Sequence, residues 1–406
     1  MAPIRVLFVV KDLAMGGVAK ALCEYLSALR GQSAVSCAVL CITPITQRWI
    51  LDFFAELGVE FTEGLVVASP PKNAFFLSKW LCKLRRHGQK KALMGKLPAI
   101  FRPYDVLIDF YALECLPILR HAGKPLIAWV HTAYRSFFQE NLAFKATLRE
   151  YHMPHDPDAL LACYERIVCL TDAFKRACMT ERYMLSNRMV SIYNPLSISE
   201  ISSTPPDPLY EAEAPYFIAV QRLAVDKAVH TVIAAFMVFL QSHPGYKLYI
   251  VGDGPLRPRL QEQAGACPQI VFTGQIDHPF PLVKHAKALI LSSSLRYGEG
   301  LGQVLIEAQA LGVPCIASEV ESGPAEILLH GEAGYLFEPE NAGSLLAAME
   351  ALVSCPQATA AKVRAASAAL ERFSPGAVAS RFLSLIADCM PASSAPGADK
   401  GWGSSL

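Results

Sequence analysis

Residues 4–10 read IRVLFVV, an apolar run interrupted only by Arg5 and without alternation. A strand of this kind is buried on both faces, which is the signature of a parallel sheet covered by helices. The run is followed by Gly16-Gly17 and by Ala21, Leu22, Tyr25, Leu26 and Leu29 at helical spacing, then by a second apolar run, Ser36 to Ile42. That succession is a βαβ unit. Further runs recur at Val106 to Phe110, Leu126 to Val130, Ile167 to Leu170 and Val190 to Tyr193. A stretch with four prolines, residues 197–215, interrupts the rhythm with linker chemistry. It resumes at Tyr216 to Val220, Leu248 to Val251, Ile270 to Thr273, Ala288 to Leu291 and Val313 to Ala317. Helical periodicity covers Ala342 to Val353 and Gln357 to Phe373, and Ser374-Pro375 caps a last helix, Ala377 to Asp388. The expected class is α/β, with one domain over 1–198, a linker over 199–215 and a second domain over 216–373. A helix follows over 374–390, and 391–406 has the composition of a disordered tail.

With 406 residues, each half is long enough for its own core. No apolar run approaches the roughly 18 uncharged residues of a membrane span. The opening MAPIRVLFVVKD reads as a first buried strand rather than a signal peptide. The 12 cysteines stand singly, with no Cys-x-x-Cys pair, which favours core thiols in a reducing cytosol over disulfides or zinc. Residues 1–200 hold 24 Lys and Arg against 17 Asp and Glu, and the remainder 13 against 19. A basic front half and an acidic back half point to an anionic partner for the front.

The richest chemistry lies between Leu291 and Pro339. Gly298, Gly300 and Gly302 alternate with Glu299 and Leu301 ahead of a helix from about Gly302 to Leu311. Glycines allow close backbone approach, and the helix start leaves free N–H groups at Gly300, Leu301, Gly302 and Gln303. Glu299 precedes this anion site, and Glu307 follows it by roughly 7.5 Å of helical rise. The combination suits a phosphorylated, hydroxyl-rich molecule such as a nucleotide sugar. Arg222 and Lys227, five positions apart at another strand-to-helix junction, form a cationic pair able to clamp a diphosphate. His131 stands at the C-terminal end of the strand Leu126 to Val130, where open α/β sheets bind ligands; a loop histidine held by backbone is the alternative. Gly16-Gly17 is compatible with a phosphate or acceptor contact and equally with a plain helix-entry turn.

Taken together, these residues resemble the GT-B glycosyltransferases of family 4, in particular those of bacterial surface-polysaccharide assembly. The resemblance rests on EGLG…EA over residues 299–308, on Arg222-Leu223…Lys227 and on Gly252-Asp253-Gly254. It implies two Rossmann-like domains facing a cleft, with the last helix crossing back to complete the first domain. It also implies transfer of a sugar from a nucleoside diphosphate sugar, commonly a UDP-sugar, to a hydroxyl of a glycan or lipid-linked acceptor, with retention of configuration. In that pattern Arg222, Lys227 and the 300–303 amides meet the donor diphosphate. Glu307 meets the ribose, Glu299 and His131 the donor sugar, Gly274 the base edge, and Gly16-Gly17 lie near phosphate or acceptor. No metal and no cofactor is implied. The chain departs from the pattern at Gln221, where Gly is usual, and at Ala228 after the lysine.

Asp156-Pro157-Asp158 has the Asp-x-Asp spacing of metal sites in the other large glycosyltransferase fold. It lies in a proline-broken loop rather than after a buried strand, so Asp158 reads as a helix N-cap. Residues 72–102 carry six lysines, three arginines and no acidic residue among Phe75, Phe76, Trp80 and several leucines. This pattern fits contact with an anionic membrane from the cytoplasmic face, and equally a solvated basic helix face. Nothing supports nucleic acid. Two alternatives to transfer share the donor site: a nucleotide-sugar epimerase or hydrolase, and a non-catalytic nucleotide-sugar-binding protein.

Overall fold

The computed structural model describes residues 2–13, 17–64, 95–131, 157–181, 187–205, 214–320 and 323–390. Two parallel sheets organise it. The first has seven strands, β1 (Ile4–Val10), β2 (Val35–Cys41), β3 (Glu60–Thr62), β4 (Val106–Asp109), β5 (Leu126–Val130), β6 (Arg166–Cys169) and β7 (Met189–Ser191), in the order β3-β2-β1-β4-β5-β6-β7. The second has six, β8 (Tyr216–Val220), β9 (Lys247–Val251), β10 (Ile270–Gly274), β11 (Ala288–Leu291), β12 (Cys315–Ser318) and β13 (Tyr335–Phe337), in the order β10-β9-β8-β11-β12-β13. Each sheet reverses its strand order once, at β1/β4 and at β8/β11. Such a reversal opens a crevice beyond the C-terminal strand ends, where ligands of this architecture bind.

Strand alternation divides β1 between two cores. Val6, Phe8 and Val10 join one cluster and Leu7 and Val9 another. The first cluster runs on into the second domain through Tyr216, Ile218 and Leu291, so the domains share apolar core. It also takes in the last helix, Pro375–Cys389, which packs on the first-domain helix Gly17–Leu29. Phe382 of that helix stacks on Phe8 at 5.9 Å and lies 5.9 Å from Trp129. Its complete burial contributes about 1.5–3 kcal/mol.

Three local expectations need correction. Residues 199–202 are not linker coil: a helix over Ile198–Ser202 buries Ile201, and Ser202 donates to the Ala310 carbonyl at 2.9 Å. The helix expected over 357–373 runs as Pro356–Ala369 and tightens into a 3-10 turn at Leu370–Phe373. Pro375 excludes helical backbone at Ser374, which sits at φ −61 and ψ 149 and caps the next helix by accepting from the Ala377 amide. Asp158 is not an N-cap, because the helix Pro157–Leu161 has already begun with proline at its first position. Asp156, Gly16, residues 72–94 and the tail 391–406 lie outside the described residues. Of the basic segment, residues 95–101 are helical, with Leu97 and Phe101 buried in the first domain. No helix among the described residues is long and apolar enough to cross a membrane.

Candidate active site

The site is built at the C-terminal ends of β8 and β11. Beyond β11 the chain places Ser292, Ser293 and Ser294 in succession, all buried. Buried hydroxyls require partners, and these tie three loops together. Ser292 Oγ donates to the Lys227 carbonyl at 2.7 Å and accepts from Gln221 Nε2 at 3.0 Å. Ser293 Oγ donates to Glu299 Oε2 at 2.6 Å, while Ser318 Oγ donates to the Ser293 carbonyl at 2.8 Å. The Ser294 amide donates to the Asp226 carbonyl at 2.9 Å. The turn Val225–Lys227 is thereby fixed to the loop that carries Glu299. Gln221, at the place of the usual glycine, is one of the ties.

Within this frame Lys227 Nζ lies 2.5 Å from Glu299 Oε2, with side chains only 19% and 14% exposed. Ala228 follows in the left-handed region at φ 41 and ψ 37, where an L side chain crowds its own backbone. Glycine is the residue without that penalty. Arg222 is 66% exposed and pairs with Asp226 at 3.0 Å rather than with the glutamates.

The helix Gln303–Ala310 opens at Gly302, which is left-handed at φ 81 and ψ 47, and among the described residues no side chain caps it. Its first amides are therefore uncapped donors at the positive end of the helix dipole. Gln303 Nε2 is buried beside them and has no hydrogen-bond partner among the described residues. Leu301 is buried, and its carbonyl stands where a Cβ on Gly323 would come within 2.2 Å, so a second glycine loop braces the first. Glu307 is 12% exposed, and its Oε1 lies 2.5 Å from Lys20 Nζ of the opposite domain. The Gly274 carbonyl already accepts from the Gly252 amide at 2.8 Å and from Thr273 Oγ1 at 3.0 Å. A base edge at that position must therefore use other backbone groups.

His131 closes β5 in the first domain. Its ring lies 4.6 Å from Phe110 and stacks on Tyr111 at 6.4 Å and 10°. Burial pushes its imidazole down to about 3, opposed by a hydrogen bond to the Phe110 backbone. The ring is thus neutral at physiological pH, and Nε2 is buried without a partner among the described residues. A neutral ring that donates one N–H to a carbonyl keeps a lone pair on the other nitrogen, an acceptor suited to a hydroxyl. His131 makes no described hydrogen bond to the Lys227–Glu299 pair. The domains nevertheless face each other here: burial, then Glu114 and Asp12, raise the Tyr111 phenol, and Arg222 from the second domain opposes them. Gly17 begins the helix Gly17–Leu29 in open space.

Sequence reasoning missed Lys20, the serine run and Glu326. Lys20 carried a signal, being one turn inside the helix that follows Gly16-Gly17. The serines carried another, as polar residues directly after a buried strand end. Glu326 carried none: it is a buried carboxylate that accepts from first-domain amides at Asp172 and Ala173.

The architecture of two parallel-sheet α/β domains is that of the GT-B glycosyltransferases. The chain superimposes on the Anabaena protein Alr3699/HepE, solved in complex with UDP, with a TM-score of 0.73 at 18% identity, covering 95% of this chain and 100% of that one. Residues 204–369, which hold the second-domain site, match the family model of glycosyl transferases group 1. Lipopolysaccharide 1,6-galactosyltransferase of Escherichia coli K12 is 25% identical over 249 residues, 58% of this chain and 62% of that protein. An exopolysaccharide phosphotransferase of Streptomyces coelicolor, SCO2592, is 39% identical over 136 residues, 33% of this chain. The matches span 14% of the length of the Streptomyces protein and 62% of the Escherichia one.

Proposed function

We propose that this protein transfers a sugar from a nucleoside diphosphate sugar, a UDP-sugar in the first instance, to a hydroxyl of a glycan or glycolipid acceptor in cell-surface polysaccharide assembly. The observation that carries the reading is the convergence of Lys227, Glu299, Glu307 and the uncapped helix start at Gly302 on one strand-end crevice. The resemblance to family 4 and the relatives named for lipopolysaccharide and exopolysaccharide chemistry support the acceptor class.

The chemical difficulty is departure of a diphosphate while positive charge grows on the sugar. Lys227, Arg222 and the amides at 300–303 would offset the negative charge developing on the leaving group. With those donors in place the reading requires no divalent metal. Glu307 would accept from ribose hydroxyls and Glu299 from donor-sugar hydroxyls. His131, neutral and with an acceptor lone pair, would orient the sugar from the first domain. Retention of configuration follows from the resemblance, and no residue is assigned as a nucleophile. The reading extends to a cytoplasmic protein whose basic segment 72–102 contacts the inner membrane face.

The test is a thermal-shift panel of nucleotide sugars, followed by turnover with candidate glycolipids. Stabilisation by one donor and acceptor-dependent product support transfer. Release of free sugar in the absence of acceptor, with no transfer when acceptor is added, would identify a hydrolase instead. Sedimentation with anionic vesicles tests the membrane contact: salt-sensitive binding supports it, and no binding at low salt rejects it.

A further inference from the structure

Lys20 and Glu307 come from different domains and are 287 positions apart, yet their side chains meet at 2.5 Å. Lys20 belongs to the first-domain helix Gly17–Leu29 and reaches across to two second-domain groups. Its ammonium lies on Glu307 Oε1 and 5.5 Å from the Phe280 ring centroid. Lys20 is 42% exposed, while Glu307 is only 12% exposed. The carboxylate is therefore the member that depends on the pair, because it has little water to fall back on.

The surroundings are acidic. Glu24 lies one turn after Lys20 on the same helix, and Glu200 sits on the neighbouring helix Ile198–Ser202. Burial raises the Glu24 carboxyl to about 7, Lys20 opposes that, and Glu200 and Glu307 add to it. Glu307 is also one turn inside the helix whose start is the proposed diphosphate site. A carboxylate there repels the bound anion unless a cation balances it, and Lys20 is placed to do so. A carboxylate offers about four lone-pair positions on two oxygens. Among the described residues Oε2 of Glu307 has no donor, so it is open to a ribose diol while Oε1 stays on the lysine.

We propose that Lys20 is a positioning residue for nucleoside recognition: it holds Glu307 from the opposite domain, so that ribose binding requires both domains together. The inference rests on the reading of Glu307 as the ribose carboxylate. It makes the first-domain helix part of the donor site rather than of the acceptor side alone. The pair persists when nucleotide is bound and does not act as a latch that nucleotide must break.

The experiment measures binding of UDP, GDP and ADP to the full chain, then compares the best of them with its 2′,3′-dideoxy form. Wild type should favour the ribose form by about tenfold or more, the range for hydrogen bonds to a charged group. Lys20→Met should weaken both forms through the lost charge balance and the ribose form about tenfold more, so that discrimination collapses. Lys20→Arg should restore part of it, and Lys20→Gln serves if the methionine variant does not fold. A lysine that served only stability would shift the melting midpoint and leave discrimination intact. Lys20 variants that retain wild-type discrimination, or bind more tightly as a broken latch would, overturn the inference. Glu307→Gln separates the two levels. Lost discrimination in Glu307→Gln with none lost in the Lys20 variants rejects the lysine alone. Unchanged discrimination in Glu307→Gln, or a wild type that binds none of the three nucleotides, rejects the site reading and the inference with it.

Discussion

Lys227 Nζ and Glu299 Oε2 lie 2.5 Å apart although 72 positions separate them in the chain. Both side chains are mostly buried, and Ser293 donates to the same carboxylate oxygen at 2.6 Å. The residue assigned to the donor phosphates and the residue assigned to the donor sugar thus form one unit. Removing either leaves the other charge buried without its partner. Lys227→Ala and Glu299→Ala should each reduce turnover by about a hundredfold or more, in line with loss of a charge-stabilising group. The double variant should be little worse than either single one, because both disable the same pair. Steady-state kinetics of the three proteins, with circular dichroism to show retained fold, decides this. Near-normal transfer by either single variant removes the site assignment.

Ala228 supports the same lysine at a cost. Its φ of 41 lies in the left-handed region, where a non-glycine residue is less stable by about 1–2 kcal/mol. Glycine there loses about 0.5–1 kcal/mol through its freer unfolded chain. Ala228→Gly should therefore stabilise the protein slightly, by about 0.5–1 kcal/mol at most. Urea denaturation measures it, and a clear loss of stability would show that the methyl group packs usefully in its buried position.

The strands were legible because continuous apolar runs follow directly from burial on both sheet faces. The junctions that carry Arg222, Lys227, Glu299 and Glu307 were legible because glycines and charges cluster there. Lys20, Ser292 to Ser294 and Glu326 were not. Each takes its meaning from a partner far away in the chain, and periodicity reports only local neighbours. The helix Ile198–Ser202 was hidden by the prolines that follow it. The identity of Gln221 was visible as a departure from the family pattern, but its hydrogen bond to Ser292 required the fold.

Asp109 predicts a pH effect. It is fully buried, and burial raises its carboxyl to about 7, opposed by hydrogen bonds from the Tyr164 hydroxyl and the Cys115 amide. The folded protein therefore holds this proton more tightly than the unfolded chain. Its contribution to stability is complete below about pH 4, the unfolded value, and is lost as pH rises through about 7. Asp109→Asn cannot ionise, and its amide oxygen can keep both hydrogen bonds. The variant should gain on wild type by about 2–3 kcal/mol between pH 5 and pH 8. Denaturation at the two pH values tests this, and parallel behaviour of the two proteins would show that Asp109 does not titrate in that window.

Glu326 links the domains through three hydrogen bonds. Its Oε1 accepts from the Tyr193 hydroxyl at 2.6 Å and the Asp172 amide at 3.1 Å, and its Oε2 accepts from the Ala173 amide at 2.7 Å. Those amides open the first-domain helix Asp172–Glu181, whose own Thr171 hydroxyl caps only the Phe174 amide. A carboxylate from the second domain thus completes the cap and lies at the favourable end of the helix dipole. Arg372 holds the same turn from behind, donating to the Glu326 and Ile327 carbonyls with its guanidinium 4.6 Å from the Phe373 ring centroid. Glu326→Ala leaves two amides and a phenol without their acceptor at the domain junction, which costs about 2–4 kcal/mol. Because those groups regain partners by admitting water, the loss should loosen the domain angle before it unfolds either domain. Small-angle scattering should show a larger radius of gyration for Glu326→Ala, and turnover should fall although no assigned donor-site residue has changed. Scattering that matches wild type, together with an unchanged denaturation midpoint, would mean that the shared apolar core alone sets the angle between the domains.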